Sequence, residues 1–211
     1  MRDCDPTLTF PVCELFASIQ GEGTWSGRPM LFIRFSGCPL ACSWCDEPLH
    51  RQPQRAQSMT VAALLAQLRQ TAPNLNAIVL TGGEPLAVNG LQPLINRLKQ
   101  EGFWLAMESS GVGGALPEAI DWLTLSPKTA LPESVYQAAN EIKYVVDANP
   151  DAALLAEIDR RSREHAAVWL QPMARGKRVD ADAVARCFDL VMNSGGRLRL
   201  SLQLHKYIGV L

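Results

Sequence analysis

The chain has 211 residues, of which 47% are hydrophobic and 19% charged, and its formal net charge is −1 at pH 7. This length predicts one domain over residues 1–211 with a sizeable core. The balanced charge gives no electrostatic footprint for nucleic acid, and no apolar run approaches membrane-spanning length. The first residues lack the apolar core of a signal peptide, so we expect a cytoplasmic protein with reduced cysteines.

Apolar, strand-forming runs recur along the chain, and helical stretches separate several of them. The predicted strands are residues 10–17, 30–36, 76–81, 103–108, 121–126, 141–147, 167–172 and 197–204. The predicted helices are residues 60–70, 90–101, 150–163 and 179–193. Thr60 is a plausible N-cap for the first helix, whose apolar residues recur at helical spacing. The polar, turn-rich residues 51–58 and 128–140 are predicted to be loops.

Near-continuous apolar strands that alternate with helices are typical of a mostly parallel, covered sheet. A closed barrel of eight βα units needs about 250 residues, which is more than this chain has. We therefore predict an α/β fold, an opened, partial (β/α) barrel with about six core parallel strands.

Three cysteines, Cys38, Cys42 and Cys45, follow the second predicted strand in a CxxxCxxC pattern. Iron–sulfur clusters normally take four cysteines, so a four-iron cube bound here would keep one iron open to a substrate or cofactor. A structural zinc site usually draws four ligands from two separated pairs, and this sequence has no second pair. Zinc and unligated thiols remain the alternatives. No role is predicted for the other cysteines, Cys4, Cys13 and Cys187.

A glycine-rich turn, TGGEP, begins with Thr81 at the end of the strand predicted over residues 76–81. Gly82 and Gly83 allow the backbone to approach a ligand closely. In α/β sheets and barrels, ligands bind at this edge of the strands. An ordinary βα turn is the alternative, and a dinucleotide site is weakly supported because the GxGxxG pattern is missing.

The cysteine loop and the GGEP turn, in this order, resemble the radical S-adenosylmethionine superfamily. A further series narrows the resemblance to the 7-carboxy-7-deazaguanine synthase family, and it covers the chain from about residue 12 to the C-terminus. The series consists of IQGEG at residues 19–23, Arg34, SPK at residues 126–128, QPM at residues 171–173 and the ending HKYIG at residues 205–209.

This resemblance implies a lyase that converts 6-carboxy-5,6,7,8-tetrahydropterin to 7-carboxy-7-deazaguanine and releases ammonia, as in queuosine biosynthesis. It implies a 4Fe-4S cluster on the three cysteines, with S-adenosylmethionine chelating the open iron, and Mg²⁺ near the substrate. The reduced cluster would cleave that cofactor to a 5′-deoxyadenosyl radical, which takes hydrogen from C6 of the pterin and later returns it. A homodimer and a flavodoxin-like or other reductant are implied too, whereas no nucleic-acid or membrane partner is expected.

The family's site residues can be carried over to matching positions. The implied cofactor contacts are Trp44, Cys45, Asp46, Gly83, Ser126, Pro127, Lys128, Gln171, Pro172, Met173 and Ala174. The implied substrate contacts are Ile19, Gln20, Gly21, Glu22, Arg34, Thr81, His205 and Leu211, the last through its terminal carboxylate.

Some of these residues also carry a physical argument of their own. A guanidinium in an apolar strand must be paired, so Arg34 either holds the substrate carboxylate or forms an internal ion pair with Glu22 or Glu141. Gln20 and Glu22 either recognise the edge of a ring or belong to a solvated turn. His205, near the end of the last predicted strand, is either a core histidine or a substrate neighbour. The other histidines, His50 and His165, are predicted at the surface.

The chain departs from the family pattern at two places. Glu47 replaces the threonine that assists Mg²⁺, and a carboxylate is a harder oxygen donor for this ion, so Glu47 is a candidate ligand. It could equally turn outward or remove the metal requirement. Ser109 and Ser110 replace a Thr-Asn pair after Glu108, which leaves the role of that strand end open.

Two other functions are compatible with parts of the pattern. A glycyl-radical activating enzyme would use the same cluster and cofactor on a partner polypeptide. A zinc-stabilised binding module would use the cysteines only as structural ligands.

Overall fold

The structure, a computed structural model, describes residues 7–175 and 178–210. Within these residues it contains eleven strands and six α-helices. The strands are β1 (Thr9–Ile19), β2 (Pro29–Phe35), β3 (Gln57–Thr60), β4 (Ala77–Gly82), β5 (Trp104–Ser109), β6 (Trp122–Leu125), β7 (Glu141–Val146), β8 (Val168–Pro172), β9 (Ala174–Arg175), β10 (Arg178–Val179) and β11 (Leu198–Leu200). The helices are α1 (Val61–Thr71), α2 (Leu91–Gln100), α3 (Glu133–Ala138), α4 (Ala152–Glu164), α5 (Ala181–Met192) and α6 (Leu204–Ile208).

Nine of the described strands form one sheet in the order β11-β8-β7-β6-β5-β4-β2-β1-β3. The pairs from β2 to β11 are parallel, whereas β1 pairs with both β2 and β3 in antiparallel fashion. The short strands β9 and β10 pair separately. The sheet is open, because β3 and β11 are its two edges. The predicted α/β class with an opened barrel is confirmed, with seven parallel strands in the described residues.

Alternation along the strands separates the two faces of the sheet. In β2, Leu31, Ile33 and Phe35 belong to the main core, which also contains the apolar sides of α1, α2, α4 and α5. Met30 and Phe32 lie on the opposite face in a smaller cluster. Side chains in a strand alternate between faces, so Arg34 shares this second face and lies near its carboxyl end.

The two ends of the second face differ in character. At the amino ends of the strands, Trp25 packs edge-on against Trp104 and Trp122, with ring centroids 5.2 Å apart in both pairs. The guanidinium of Arg28 lies 4.3 Å from the centroid of the Trp104 ring. The carboxyl ends of the strands carry polar side chains, so the functional site is expected there.

Several helices begin where the sequence provides a capping side chain. The hydroxyl of Thr60 accepts a hydrogen bond of 3.2 Å from the Ala63 amide, which confirms the predicted N-cap of α1. Asp151 and Asp180 cap α4 and α5 in the same way. Removing such a cap typically costs about 1 kcal/mol.

Three sequence predictions about secondary structure are wrong. Residues 128–140 contain α3, whose Tyr136 is buried below the guanidinium of Arg161, so a tertiary contact outweighs the polar local sequence. Residues 51–56 are short 3₁₀ turns and connecting residues, so the loop prediction over residues 51–58 fails only at Gln57 and Ser58, which begin β3. The strand predicted over residues 197–204 ends at Leu200, because Gln203 turns into the site and α6 follows.

None of the helices in residues 7–175 and 178–210 combines the length and apolar character that a bilayer crossing requires. Cys187 is buried in the main core on α5, and Cys13 is partly exposed on β1. Cys4 and Leu211 lie outside the described residues.

Candidate functional site

A cavity of about 240 Å³ opens at the carboxyl edge of the parallel strands. It collects most of the side chains that the sequence singles out, although they come from nearly the whole chain. The predicted residues that line it are Ile19, Gln20, Gly21, Glu22, Arg34, Cys38, Cys42, Trp44, Cys45, Asp46, Glu47, Thr81, Gly83, Ser126, Lys128, Gln171, Pro172, Ala174 and His205. Pro127 and Met173 are neighbours of lining residues and do not line the cavity themselves.

The cysteine loop forms one wall of this cavity. Cys38, Cys42 and Cys45 are free thiols, each partly exposed toward it. Burial raises the pKa of the Cys38 thiol. A bound metal would offset this, because metal ligation favours the thiolate. In the described ranges no three His, Cys, Asp or Glu side chains converge as they would around a single metal ion.

Close backbone packing joins the GGEP turn to the start of the cysteine loop. Gly82 has a φ of +112°, a conformation that favours glycine. The Gly83 amide donates to the Phe35 carbonyl and the Glu84 amide to the Gly37 carbonyl, both at 2.8 Å. A Cβ on Gly83 would overlap the Gly37 carbonyl oxygen. The turn therefore fixes the residue that precedes Cys38.

The Glu84 side chain is 1% exposed and receives its hydrogen bonds from the end of β5. Ser109 donates its hydroxyl at 2.6 Å, and Ser110 donates both its hydroxyl and its amide, the amide at 2.8 Å. The Leu86 amide donates at 3.1 Å. The serine pair whose role the sequence left open thus satisfies the buried carboxylate of the GGEP turn.

A group of buried charges also lines the cavity. Lys143, on β7, is 4% exposed, forms an ion pair with Glu22 and lies 3.5 Å from a Glu108 oxygen. Gln20 donates to the other Glu108 oxygen at 2.8 Å. The sequence predicted Gln20 and Glu22 here, and it missed Lys143 and Glu108.

The charges of this group depend on one another. Burial opposes the charge on Lys143, but Glu108 and Glu22 together raise its pKa, so the amine stays protonated. Burial also opposes ionisation of Glu22, yet the Lys143 charge and hydrogen bond hold the pKa of Glu22 below its ordinary value. For Glu108 burial prevails over the attraction of Lys143 and raises the pKa.

The segment before α6 closes the cavity between the IQGEG loop and the cysteine loop. The Gln203 amide nitrogen donates to Glu22 at 2.9 Å and to Asp46 at 2.8 Å. Lys206 donates to the same Asp46 oxygen at 2.8 Å. Although burial opposes ionisation, the hydrogen bonds from Lys206 and Gln203 lower the pKa of Asp46 to about 2. Gln203 was not among the residues that the sequence predicted here.

His205 also lines the cavity, on α6 and not on a strand as predicted. A Cβ on Gly21 would collide with its ring, so the glycine of the IQGEG loop makes room for the histidine. The Leu204 amide donates to the Gly21 carbonyl at 2.9 Å. Burial lowers the pKa of His205.

Arg34 makes a different ion pair from the one that the sequence predicted. Glu22 and Glu141, the predicted partners, instead accept hydrogen bonds from Lys143 and from the Thr124 hydroxyl. The Arg34 guanidinium lies 2.7 Å from a Glu14 oxygen and 3.6 Å from a Glu47 oxygen. Glu47 therefore faces the cavity and not the solvent alone.

The prediction that His50 lies at the surface is wrong, because this residue is 4% exposed. Its Nε2 lies 3.4 Å from a Glu14 oxygen and 3.9 Å from a Glu47 oxygen. His165 is partly exposed, with Nε2 2.8 Å from the Ala139 carbonyl oxygen.

The remaining predicted cofactor contacts lie at the carboxyl ends of β6 and β8. The Lys128 amine donates to the hydroxyl and to the carbonyl of Ser126, and burial together with the Lys143 charge lowers the pKa of Lys128 to about 8. Gln171 is buried and accepts from the Ser201 hydroxyl at 3.3 Å.

The donor set fits the groups that the resemblance implies. Three partly exposed thiols line the cavity, and none of the described residues adds a fourth cysteine to this lining. The Gly37–Gly83 contact leaves no room for a side chain, which suits a backbone that meets a ligand directly. These residues fit a 4Fe-4S cluster with a cofactor beside it.

Comparison with known proteins agrees with this geometry. Residues 32–152 match the model of the radical SAM superfamily. The chain is 36% identical to 7-carboxy-7-deazaguanine synthase from Synechocystis sp. over 97% of this chain and 95% of the relative. It is 32% identical to the Haemophilus influenzae protein of the same name, over 99% of this chain and 97% of that relative. The crystal structure of QueE from Escherichia coli superposes with a TM-score of 0.77 at 26% identity, and the match covers 94% of this chain and 96% of that one.

Proposed function

We propose residue roles for the cavity of this chain, which belongs to the 7-carboxy-7-deazaguanine synthase family of the radical S-adenosylmethionine superfamily. Members of this family convert 6-carboxy-5,6,7,8-tetrahydropterin to 7-carboxy-7-deazaguanine and release ammonia, with a 4Fe-4S cluster and S-adenosylmethionine. One observation carries the assignment of roles: a single cavity is lined both by three thiols and by paired, buried polar groups.

The cysteine wall is the cofactor end. Cys38, Cys42 and Cys45 would hold the cluster, and Gly83 would place its backbone against the methionine part of S-adenosylmethionine. When bound, this pair supplies a 5′-deoxyadenosyl radical. The other proposed cofactor contacts are Trp44, Asp46, Ser126, Pro127, Lys128, Gln171, Pro172, Met173 and Ala174. Their task is to orient the cofactor and to exclude water from a reactive species.

The group of buried charges is the substrate end. Gln20 and Glu22 offer an amide and a carboxylate that suit the donor and acceptor edge of a pterin ring. Lys143 keeps Glu22 ionised there. Arg34 would receive the substrate carboxylate in exchange for part of its contact with Glu14, because a planar guanidinium binds carboxylates in a bidentate manner. Further proposed substrate contacts are Ile19, Gly21, Thr81, His205 and the carboxylate of Leu211, which lies outside the described residues.

Glu47 is proposed to contribute one oxygen to a Mg²⁺ ion beside the substrate. Proteins often bind this ion through one or two carboxylates, with waters and substrate oxygens completing the shell. Glu47 lines the cavity and is only partly exposed, which supports this position. A Mg²⁺ titration of Glu47→Ala and of the parent protein, in the presence of the pterin, tests the assignment. Equal Mg²⁺ affinity in both proteins would contradict it.

The enzyme acts on a small molecule and needs a reductant for its cluster. We propose a flavodoxin-like protein as that reductant, a homodimer as the assembly and the cytoplasm as the location. We also propose that residues 1–211 form one functional domain, which the continuous nine-stranded sheet supports. Light scattering of the purified protein tests the dimer, and a monomeric mass would contradict it.

The test of the function is turnover by anaerobically reconstituted protein. With 6-carboxytetrahydropterin, S-adenosylmethionine and dithionite, we expect 7-carboxy-7-deazaguanine and ammonia in equal amounts. Cys42→Ala, which removes one cluster ligand, is the matched inactive control. If the parent protein forms no deazapurine although its cluster is intact, the assignment fails.

The glycyl-radical activating enzyme and the zinc-stabilised module are not favoured. Relatives that match over nearly their whole length are named as an enzyme of small-molecule chemistry.

A further inference from the structure

A continuous series of hydrogen bonds and ion pairs crosses the cavity from the substrate end to the cysteine loop. In order, it consists of Glu108, Lys143, Glu22, Gln203, Asp46 and Lys206. At its centre, the Gln203 amide nitrogen lies 2.9 Å from a Glu22 oxygen and 2.8 Å from an Asp46 oxygen. We call Gln203 and the two carboxylates that it joins, Glu22 and Asp46, the polar bridge.

Gln203 makes both contacts through one atom. Its amide nitrogen carries two hydrogens, and each points to a different carboxylate, Glu22 or Asp46. The side chain is 5% exposed, so water cannot readily replace a lost bond. The two carboxylates have separate counterions, Lys143 on one side and Lys206 on the other. The amide is therefore the hydrogen-bonding group that the two ion pairs share.

The backbone around Gln203 reinforces this connection. The Leu204 amide donates to the Gly21 carbonyl at 2.9 Å, and the Ser201 hydroxyl accepts from the Gly23 amide at 3.1 Å. The segment from Ser201 to Leu204 is thus bonded to the loop that carries Glu22. One of its side chains, Gln203, reaches Asp46 in the cysteine loop, one residue after Cys45.

We propose that Gln203 couples the binding of the pterin to the binding of S-adenosylmethionine. The proposal rests on the roles assigned above to Glu22 and Asp46. A ligand at either carboxylate needs that carboxylate in place, and both are held by the same amide. Binding at one end therefore orders the amide for the other end, and each ligand increases the affinity for its partner. Gln203 is a positioning residue, since it acts through Glu22 and Asp46.

The coupling must be reciprocal, because both affinities refer to the same thermodynamic cycle. Coupling between two sites commonly changes affinity by about 5- to 150-fold. For one bridging amide we expect about tenfold, near the lower end of this range.

The test measures binding to the anaerobic, cluster-containing protein with the cluster left oxidised, so that S-adenosylmethionine is not cleaved. Calorimetry gives the dissociation constant of S-adenosylmethionine with and without saturating 6-carboxytetrahydropterin, and then the reverse. In the parent protein each ligand should lower the dissociation constant of the other about tenfold. Gln203→Met keeps the length of the side chain and loses both N–H donors. In this variant, the change in affinity that one ligand causes for the other should fall below about twofold.

Leu202→Ala is the matched control, because this neighbouring side chain is 39% exposed and lies outside the polar bridge. It should keep the coupling of the parent protein. Full coupling in Gln203→Met, or no coupling in the parent protein, would overturn the proposal.

A second measurement needs no variant. In the parent protein, S-adenosylmethionine alone should slow hydrogen exchange at the amides of residues 20–24, the loop that carries Glu22. Unchanged exchange there would also overturn the proposal. Turnover measured in parallel separates the two levels: normal deazapurine formation without coupling refutes the role of Gln203 alone, whereas failure to bind the pterin refutes the function as well.

Discussion

The two ends of the cavity are built by different means. At the cofactor end, Gly37 and Gly83 bring two backbone segments into contact, and Glu84 is satisfied by neutral donors. At the substrate end, Lys143 and Glu22 are buried charges that depend on each other. The cofactor end should therefore be destabilised by substitutions that add atoms. The substrate end should be destabilised by substitutions that remove a charge.

The largest effect is expected from Gly83→Ala. Its Cβ would overlap the Gly37 carbonyl oxygen, and backbone atoms cannot move aside as a flexible side chain can. We expect about 3 kcal/mol of destabilisation and loss of the cluster on purification. Iron content and chemical denaturation check this. Gly196→Ala is the control, since a Cβ there meets nothing within 4 Å and only the positive φ is strained. Cluster retention in Gly83→Ala would remove the steric argument.

A nearly equal effect on stability is expected from Lys143→Met, through charge and not through crowding. The variant leaves Glu22 buried without its counterion. Breaking a buried pair costs about 3–5 kcal/mol, and we expect the lower end because Gln203 still donates a hydrogen bond to Glu22. Urea denaturation of the cluster-free protein measures the loss. The double variant Lys143→Met/Glu22→Gln should regain part of the stability. If the double variant is less stable than Lys143→Met, the charge balance is not what holds this end together.

A smaller effect should appear at the junction of β5 with the GGEP turn. Ser110→Ala deletes a hydroxyl donor to the buried Glu84 carboxylate. Because Glu84 positions the turn that meets the cofactor, the KM for S-adenosylmethionine should rise about tenfold while the KM for the pterin stays constant. Ser110→Thr keeps a hydroxyl and should restore the parent value. Parallel increases in both KM values would indicate a general structural defect.

The smallest effect concerns pH and Glu108→Gln. Burial raises the pKa of Glu108 above its ordinary value of 4.5, so the folded protein keeps this proton at pH values where the unfolded chain has released it. The associated stability is present below pH 4.5 and is lost as the pH rises through the raised pKa. The parent protein should therefore lose stability relative to Glu108→Gln as the pH rises above 4.5. If the difference in unfolding free energy between the two proteins is the same at all pH values, the raised pKa of Glu108 is contradicted.

The same contrast explains what the sequence could predict. The cysteine loop and the GGEP turn are contiguous motifs, and alternating apolar runs identify most strands and the open α/β class. Lys143 had a usable signal, since a lysine inside the apolar strand EIKYVV needs a partner. That partner, Glu22, is 121 residues away, and only the sheet order brings the two together.

Gln203 and His50 had no comparable signal. Gln203 bonds with residues 157 and 181 positions away, and it lies just after the short strand β11, where the sequence predicted a continuing strand. His50 sits in a polar segment that the fold buries against β1. Tertiary packing determines the positions of both residues, and the local sequence pattern contains no signal of that packing.

An open barrel leaves two free strand edges, which a closed barrel would not have. Here the edges are β3, with four residues, and β11, with three. Strands this short offer few unpaired backbone groups to another chain, so they guard the native sheet against edge-to-edge aggregation. Lengthening β3 would remove that protection without touching the cavity, whereas lengthening β11 past Leu200 would also displace Gln203 from it.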